Sequence, residues 1–86
     1  MTSPSASPIT MYGAEWCSDC RRSKKLLDEK GVAYEYIDLE AVPEAAEAAL
    51  AISGRTNIPV IVFSDGTHQV EPSNADLEAK LAELAV

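Results

Sequence analysis

The alternation of apolar and polar positions divides the chain into seven short elements. Apolar runs with branched or aromatic side chains predict strands, and runs of strong helix formers that end near a glycine predict helices. The Asp65-Gly66 pair predicts a tight hairpin between the last two strands. The predicted order is β-α-β-α-β-β-α, with strands at 9–12, 34–39, 59–63 and 68–70 and helices at 18–30 and 44–52. Ser73 or Asn74 is predicted to cap a last helix that runs to about residue 84.

This order predicts an α/β fold, a three-layer sandwich. A strand-helix-strand beginning implies a right-handed crossover between parallel neighbours, whereas the hairpin adds an antiparallel pair. The run 59–63 has no polar side and should be covered on both faces. We therefore expect a mixed four-stranded sheet between layers of helices. It should form a single domain over 9–86, after a short disordered segment at 1–8.

Composition and charge narrow the classes of function. The 86 residues carry 14 acidic against 7 basic side chains, and the net charge of −7 disfavours binding to nucleic-acid phosphates. The longest apolar run, 58–63, is far shorter than the roughly 20 residues that span a bilayer. Residues 1–8 lack the basic and apolar parts of a secretory signal. We expect a cytoplasmic monomer with no membrane or nucleic-acid partner.

The chain contains two cysteines, Cys17 and Cys20. Two thiols are too few for a closed zinc site or a secreted disulfide framework, and in a reducing compartment a Cys-x-x-Cys pair indicates redox chemistry. Cys17 is predicted at the start of a helix, where unpaired backbone N–H groups favour a thiolate. Cys20 is predicted one turn further and more buried. We therefore expect Cys17 to be the nucleophile and Cys20 the resolving thiol of a redox disulfide.

Side chains near the pair are candidates for substrate binding. Arg21 is predicted on the same helical face as Cys17, where its charge favours the thiolate and attracts anionic thiols. Asp19 lies between the cysteines and is expected to oppose this effect. Trp16 is interpreted as a lid over Cys17, the alternative being a partly buried core residue.

Pro59 begins the central predicted strand, on the side of the sheet that faces Cys17. With a cis bond, Ile58 would offer its backbone N–H and C=O groups to an extended substrate. The simpler interpretation is that Pro59 only ends a loop.

These motifs resemble those of the thioredoxin superfamily, and within it the glutaredoxin branch. The matching residues are Tyr12, Trp16-Cys17-Ser18-Asp19-Cys20 at a strand-to-helix turn, Arg55-Thr56-Asn57-Ile58-Pro59, and Phe63-Ser64-Asp65-Gly66-Thr67. The resemblance implies a thioredoxin-like fold, a cis Pro59, a nucleophilic Cys17 and a resolving Cys20. It also implies thiol binding by the backbone of Ile58 and by the loop near Asn74.

Within that branch the chain is most similar to mycoredoxins, which use mycothiol. The similarity rests on Asp65-Gly66-Thr67, on Pro72-Ser73 and on a final Glu-Ala-Lys-Leu helix. Glutathione-using members generally carry a Gly-Gly pair in place of Pro72-Ser73 and often a lysine in place of Ala14. Two features also depart from mycoredoxins: Ser18-Asp19 between the cysteines, and Asn57, which interrupts the usual Thr-Val-Pro pattern.

The resemblance implies a thiol-disulfide oxidoreductase that reduces mixed disulfides between proteins and a low-molecular-weight thiol, mycothiol or glutathione. It would hold no tightly bound cofactor or metal, and a thiol-disulfide reductase would recycle it. Two alternatives stay open. One is a thioredoxin-like electron donor to ribonucleotide reductase, recycled by thioredoxin reductase. The other is an iron–sulfur or zinc carrier in which Cys17 donates a ligand in a dimer.

Overall fold

The structure, a computed structural model, describes residues 9–84, so the predicted disordered segment 1–8 lies outside the described residues. The elements follow the predicted order. The strands are β1 (Thr10–Gly13), β2 (Glu35–Asp38), β3 (Val60–Val62) and β4 (His68–Val70), and the helices are α1 (Ser18–Glu29), α2 (Ala45–Ser53) and α3 (Asn74–Glu83). Within 9–84, every helix is too short or too polar to cross a bilayer.

The element boundaries differ from the predicted ones by at most one residue at each end, and local hydrogen bonding and backbone conformation explain the differences at Gly13 and at Gly31. Gly13 pairs with Asp38 in the sheet and therefore belongs to β1. Gly31, at φ +68°, stops α1 after its cap at Lys30. The predicted cap of α3 is confirmed at Ser73, whose side-chain oxygen accepts the N–H of Asp76 at 3.0 Å.

The sheet is mixed and four-stranded, as predicted, with the strand order β2-β1-β3-β4. β1 runs parallel to β2 and antiparallel to β3, and β3 pairs antiparallel with β4. At the centre of the sheet Met11 lies between Tyr36 and Ile61. The carboxyl end of β1 therefore meets the beginning of β3.

Helices cover both faces of the sheet. α1 packs against α3 on one face, where Leu27 and Leu77 are fully buried in a core with Met11 and Ile61. α2 packs against β1 and β4. Because neighbouring residues of a strand point to opposite faces, the fully buried Val60 lies on the face opposite Ile61. The apolar run at 59–63 is thus covered on both sides, as its sequence predicts.

A lysine connects the last helix to the hairpin. Lys80 Nζ lies 2.7 Å from Asp65 Oδ2 and 5.7 Å from the centre of the Phe63 ring. The hydrogen bonds of Lys80 and Thr67 hold the pKa of the Asp65 carboxyl well below its usual range. The ion pair between Lys80 and Asp65 therefore holds the end of α3 against the β3–β4 turn, and Ser73 caps the beginning of the helix.

Truncation of Leu77 tests the packing of α3. We expect Leu77→Ala to lower the free energy of unfolding by about 2–5 kcal/mol, because it removes a fully buried side chain and leaves a cavity. Leu50→Ala is the matched control, since Leu50 on α2 is 44% exposed. Urea unfolding measures both variants. Equal losses in the two would contradict the packing described here.

Candidate active site

Cys17 caps the helix that follows β1. The chain turns between β1 and α1, and the turn is closed by a hydrogen bond from the N–H of Cys17 to the carbonyl of Ala14 at 3.2 Å. Cys17 is the N-cap of α1, and its Sγ accepts the N–H of Cys20 at 3.3 Å. An acceptor at this position is stabilised by the unpaired N–H groups of the first helical turn, and a thiolate is a stronger acceptor than a thiol. The predicted helix-start position of Cys17 is confirmed.

Cys20 lies in a different environment from Cys17. Both cysteines are free thiols, but Cys17 is half-buried whereas Cys20 is 1% exposed. Burial, and after it the hydrogen bond with Cys17, raises the pKa of the Cys20 thiol from 9.0 to about 12. Cys20 is therefore the more buried of the two, as expected, and it is protonated at neutral pH.

A glycine of β1 makes room for Cys20. A Cβ atom at Gly13 would lie 2.9 Å from Cys20 Sγ and 3.4 Å from Cε1 of Tyr36. The first distance is too short for any side chain, so the turn from β1 to α1 requires glycine here. Gly13 and Tyr36 were not among the residues predicted at the site. The feature of the sequence that could have indicated this contact is the glycine at the end of the first predicted strand, shortly before the cysteine motif.

The segment before β3 faces Cys17. The Ile58–Pro59 peptide bond is cis, as the resemblance implies, and Pro59 is buried. Cys17 Sγ lies 3.9 Å from the carbonyl oxygen of Ile58. The structure therefore brings Ile58 and Pro59 next to the half-buried cysteine, where the predicted topology put them.

Two basic side chains of α1, Arg21 and Lys24, are held by acceptors at Glu15. Arg21 donates to the carbonyl of Glu15, and Lys24 lies 3.8 Å from Glu15 Oε2 and 4.4 Å from the centre of the Tyr36 ring. Arg21 is exposed, with its guanidinium held at the turn that precedes Cys17.

Arg22 and Asp19 form an ion pair that the sequence analysis did not predict. Arg22 Nη2 lies 3.1 Å from Asp19 Oδ1, and the same side chain donates to Asn74 Oδ1 at 2.7 Å and to the carbonyl of Pro72 at 3.3 Å. Asp19 was expected to act on both sulfurs, but the ion pair compensates much of its charge. Its remaining field raises the pKa of Cys20, as the smallest of the causes. Asn74 is thereby connected to the cysteine helix.

Trp16 is 65% exposed in the turn directly before Cys17. This exposure excludes the alternative of a core residue. The role of Trp16 as a lid over Cys17 stays a prediction.

A cavity of about 190 Å³ opens beyond Ile58, between α2 and the 55–58 segment. Most of its lining is aliphatic; the residues that line it are Leu39, Ala46, Glu47, Ala49, Leu50, Arg55, Thr56, Asn57 and Ile58. The feature of the sequence that could have indicated this cavity is the apolar character of α2, which extends to exposed positions such as Leu50. Over residues 9–84, no group of three or more potential metal-binding side chains comes together.

Alkylation should distinguish the two cysteines. We expect iodoacetamide near neutral pH to modify Cys17 at least about 100-fold faster than Cys20. A pKa raised from 9.0 to about 12 leaves Cys20 about 1000-fold less thiolate than an ordinary thiol has. Peptide mass spectrometry of a time course gives both rates, and urea-unfolded protein is the control in which the rates converge. Equal rates in the folded protein would contradict the asymmetry.

Substitution of Gly13 tests the close approach to Cys20. We expect Gly13→Ala to lower the free energy of unfolding by about 1–3 kcal/mol and to increase alkylation of Cys20, because the first turn of α1 must move away from the new methyl group. Gly31→Ala is the matched control: it strains a positive φ but meets open space, so Cys20 should react as in the wild type. A Gly13→Ala variant with unchanged Cys20 reactivity would refute the steric explanation.

Comparisons with known proteins agree with this geometry. The glutaredoxin family model matches residues 9–69. The chain is 38% identical to Mycoredoxin 1 of Corynebacterium glutamicum over 80 aligned residues. These residues make up 92% of this chain and 99% of that protein. A glutaredoxin structure from Archaeoglobus fulgidus superposes with a TM-score of 0.76 and 28% identity over 87% of this chain and 86% of the other. The glutaredoxin-like NrdH-redoxin of Escherichia coli superposes with a TM-score of 0.72 and 32% identity over 85% and 92% of the two chains. The fold is therefore thioredoxin-like, and the chain belongs to the glutaredoxin family of thiol-disulfide oxidoreductases.

Proposed function

We propose that this protein reduces mixed disulfides between proteins and a low-molecular-weight thiol, with Cys17 as the nucleophile and Cys20 as the resolving thiol. The observation that carries the proposal is the arrangement around Cys17 Sγ. The sulfur accepts a backbone N–H of the first helical turn and lies opposite the carbonyl of Ile58. A half-buried, hydrogen-bonded sulfur beside an open backbone edge suits attack on a disulfide.

In the first step the Cys17 thiolate attacks one sulfur of the mixed disulfide. A new bond forms from Cys17 Sγ to the sulfur of the small thiol, and the substrate S–S bond breaks. The protein substrate leaves as a thiolate, which takes a proton from water. The N–H of Cys20 stabilises the attacking sulfur before the reaction.

In the second step Cys20 resolves the new mixed disulfide. Its sulfur loses a proton to water and attacks Cys17 Sγ, so that the Cys17–Cys20 disulfide forms and the small thiol leaves. Burial is the largest cause of the raised pKa of Cys20, and the hydrogen bond with Cys17 and the charge of that sulfur raise it further. Once Cys17 is bonded to a substrate sulfur, its negative charge is gone. The pKa of Cys20 then falls, and resolution follows capture.

The two halves of the substrate are assigned to different sides of Cys17. The backbone of Ile58 contacts the small thiol, and the mainly aliphatic cavity beyond Ile58 suits an apolar side chain of the protein half. The small thiol lies on the side of Asn74. Trp16 covers the sulfurs, and Arg21 adds positive charge at the turn.

Mycothiol is the small thiol that we propose. The similarity to Mycoredoxin 1 supports it, and so does Pro72-Ser73 in place of the Gly-Gly pair of glutathione-using members. Glutathione and a thioredoxin-like mode are the alternatives. The thioredoxin-like mode has support from the similarity to NrdH-redoxin, which has a thioredoxin-like activity profile. In the proposed role the protein is a cytoplasmic monomer, and a thiol-disulfide reductase regenerates the thiol pool.

Recycling specificity tests this function. A protein–mycothiol mixed disulfide is offered with three regenerating systems: mycothiol with its reductase, glutathione with its reductase, and thioredoxin reductase alone. We expect turnover with the mycothiol system to exceed that with the other two by at least about 10-fold, the discrimination that about 1.4 kcal/mol supplies. Turnover only with thioredoxin reductase would exclude the proposed function and support the donor of electrons to ribonucleotide reductase.

Cysteine variants separate the chemical steps in the same assay. Cys17→Ser should abolish turnover, whereas Cys20→Ser should retain part of it, since a second molecule of the small thiol can attack the mixed disulfide on Cys17. Ser18→Ala, at an exposed position between the cysteines, is the control. Full activity of Cys17→Ser would rule out the assigned nucleophile.

A further inference from the structure

Two residues of the sheet enclose the sulfur of Cys20. On one side is Gly13, where a Cβ atom would lie 2.9 Å from Cys20 Sγ. The same point lies 3.4 Å from Cε1 of Tyr36, so the edge of the Tyr36 ring borders the space that holds the sulfur. Tyr36 pairs with Met11 in the sheet and packs against the core beneath α1. We call the space between Gly13 and Tyr36 the Cys20 pocket.

Two charged side chains hold the ring of Tyr36. Lys24 Nζ lies 4.4 Å from the centre of the ring and 3.8 Å from Glu15 Oε2. Burial, and after it a hydrogen bond with Glu15, holds the pKa of the Tyr36 hydroxyl well above its usual range. Lys24 follows Cys20 by four positions and therefore lies on the same face of α1. Because a cation over an aromatic face is attractive, the ring is held against the part of α1 that carries Cys20.

The remaining side of the Cys20 pocket faces Cys17. Cys20 is 1% exposed, whereas Cys17 is half-buried and packs against the core cluster that includes Cys20. Burial is the largest cause of the raised pKa of Cys20, and the side-chain hydrogen bond with Cys17 is the second. The buried thiol therefore has its partner in the direction from which a disulfide would reach it.

Packing alone is the simplest role for a half-buried tyrosine, and Tyr34 provides the comparison. It packs against the same core as Tyr36, and its hydroxyl donates to Asp28 Oδ1 at 2.7 Å, near the other end of α1. Each of the two tyrosines thus has a carboxylate partner on or beside α1, but only Tyr36 lies at the Cys20 pocket.

We propose that Tyr36 is a positioning residue that closes the Cys20 pocket and leaves the sulfur of Cys20 open only toward Cys17. Lys24 and Glu15 hold its ring in place. The resolving thiol then meets a disulfide only after Cys17 has captured it, so the first attack is confined to Cys17. This inference rests on the proposed function, since it concerns the order in which two thiols act in the same reaction.

An open pocket would permit a direct reaction at Cys20. Its sulfur would lose a proton to water and attack the mixed disulfide. A bond would form from Cys20 Sγ to the sulfur of the small thiol, and the substrate S–S bond would break. The protein substrate would leave as a thiolate and take a proton from water. This reaction bypasses Cys17, and the closed pocket prevents it.

Alkylation of the reduced protein tests the enclosure without any disulfide substrate. We expect Tyr36→Val to increase the rate at which iodoacetamide modifies Cys20 at least about 10-fold, because water that enters the pocket stabilises the thiolate and lowers the pKa from about 12. Tyr36→Phe keeps the ring and should stay within about three-fold of the wild type. Valine is a good strand former, so β2 is retained.

Tyr34→Val is the matched control, because it removes the same side chain from the far end of α1. Its Cys20 should react within about two-fold of the wild-type rate, since distant sites act independently. Lys24→Ala removes the cation over the ring and should raise the rate about 2- to 5-fold. This variant changes a helix residue and decides the question if Tyr36→Val does not fold. Urea unfolding shows that every rate belongs to folded protein.

A variant without the nucleophile extends the test to the reaction. With a protein–mycothiol mixed disulfide, Cys17→Ser combined with Tyr36→Val should release the protein thiol at least about 10-fold faster in a single turnover than Cys17→Ser alone. Cys17→Ser combined with Tyr34→Val should match Cys17→Ser.

Three results would overturn the inference: an unchanged Cys20 rate in Tyr36→Val, an equal rise in Tyr34→Val, or a Tyr36→Phe variant as reactive as Tyr36→Val. Release by the combined variant no faster than by Cys17→Ser would do the same, provided that the wild type turns the disulfide over. No turnover by the wild type would instead overturn the proposed function, and the alkylation rates would still decide whether Tyr36 closes the pocket.

Discussion

One hydrogen bond links the two cysteines before any chemistry occurs. The backbone N–H of Cys20 donates to the sulfur of Cys17, so the half-buried thiol is stabilised through the main chain of the residue whose own thiol is buried. This bond exists because Cys17 is the cap of α1 and not a residue within it. Had the helix begun one residue earlier, Cys17 would have lost its cap position. The two sulfurs would then have lost the difference between their environments.

The sheet topology decides what lies opposite that helix start. Since β3 runs antiparallel to β1, the beginning of one strand is adjacent to the end of the other, with Tyr12 across from Val60. Pro59 therefore reaches the cysteine turn without a long loop. β2 is parallel to β1 and ends at the same edge. Three segments distant in sequence converge on one corner, and the hairpin behind them is fixed by Lys80.

Most of the fold could be predicted from local patterns. Short apolar runs, glycines that stop helices and the Asp65-Gly66 turn determine the elements and their order, and these depend on neighbouring residues alone. The mixed sheet follows from a crossover and a hairpin. At the site, the helix-start position of Cys17 and the burial of Cys20 were likewise predictable, because they require only the strand-to-helix turn and the helical repeat.

What could not be predicted depends on partners far away in sequence. Arg22 donates to acceptors 50 and 52 positions away, and no local rule distinguishes it from Arg21 as the residue that contacts Pro72 and Asn74. The left-handed backbone of Glu71 has no sequence signal, since glutamate is an unfavourable residue there. The pairing of Asp19 with Arg22 weakens the effect that is expected from the charge of Asp19 considered by itself, and the partner lies outside the Cys-x-x-Cys motif.

The close contact between β1 and Cys20 also limits the damage that oxidants can do. Conversion of a thiol to sulfinic or sulfonic acid adds oxygen atoms to the sulfur and is essentially irreversible. On the Gly13 side of Cys20 Sγ, even a methyl carbon would be only 2.9 Å away. Oxygens added on that side would meet the backbone of the strand, so we expect the buried sulfur to be oxidised beyond a disulfide more slowly while the first turn of α1 stays in place.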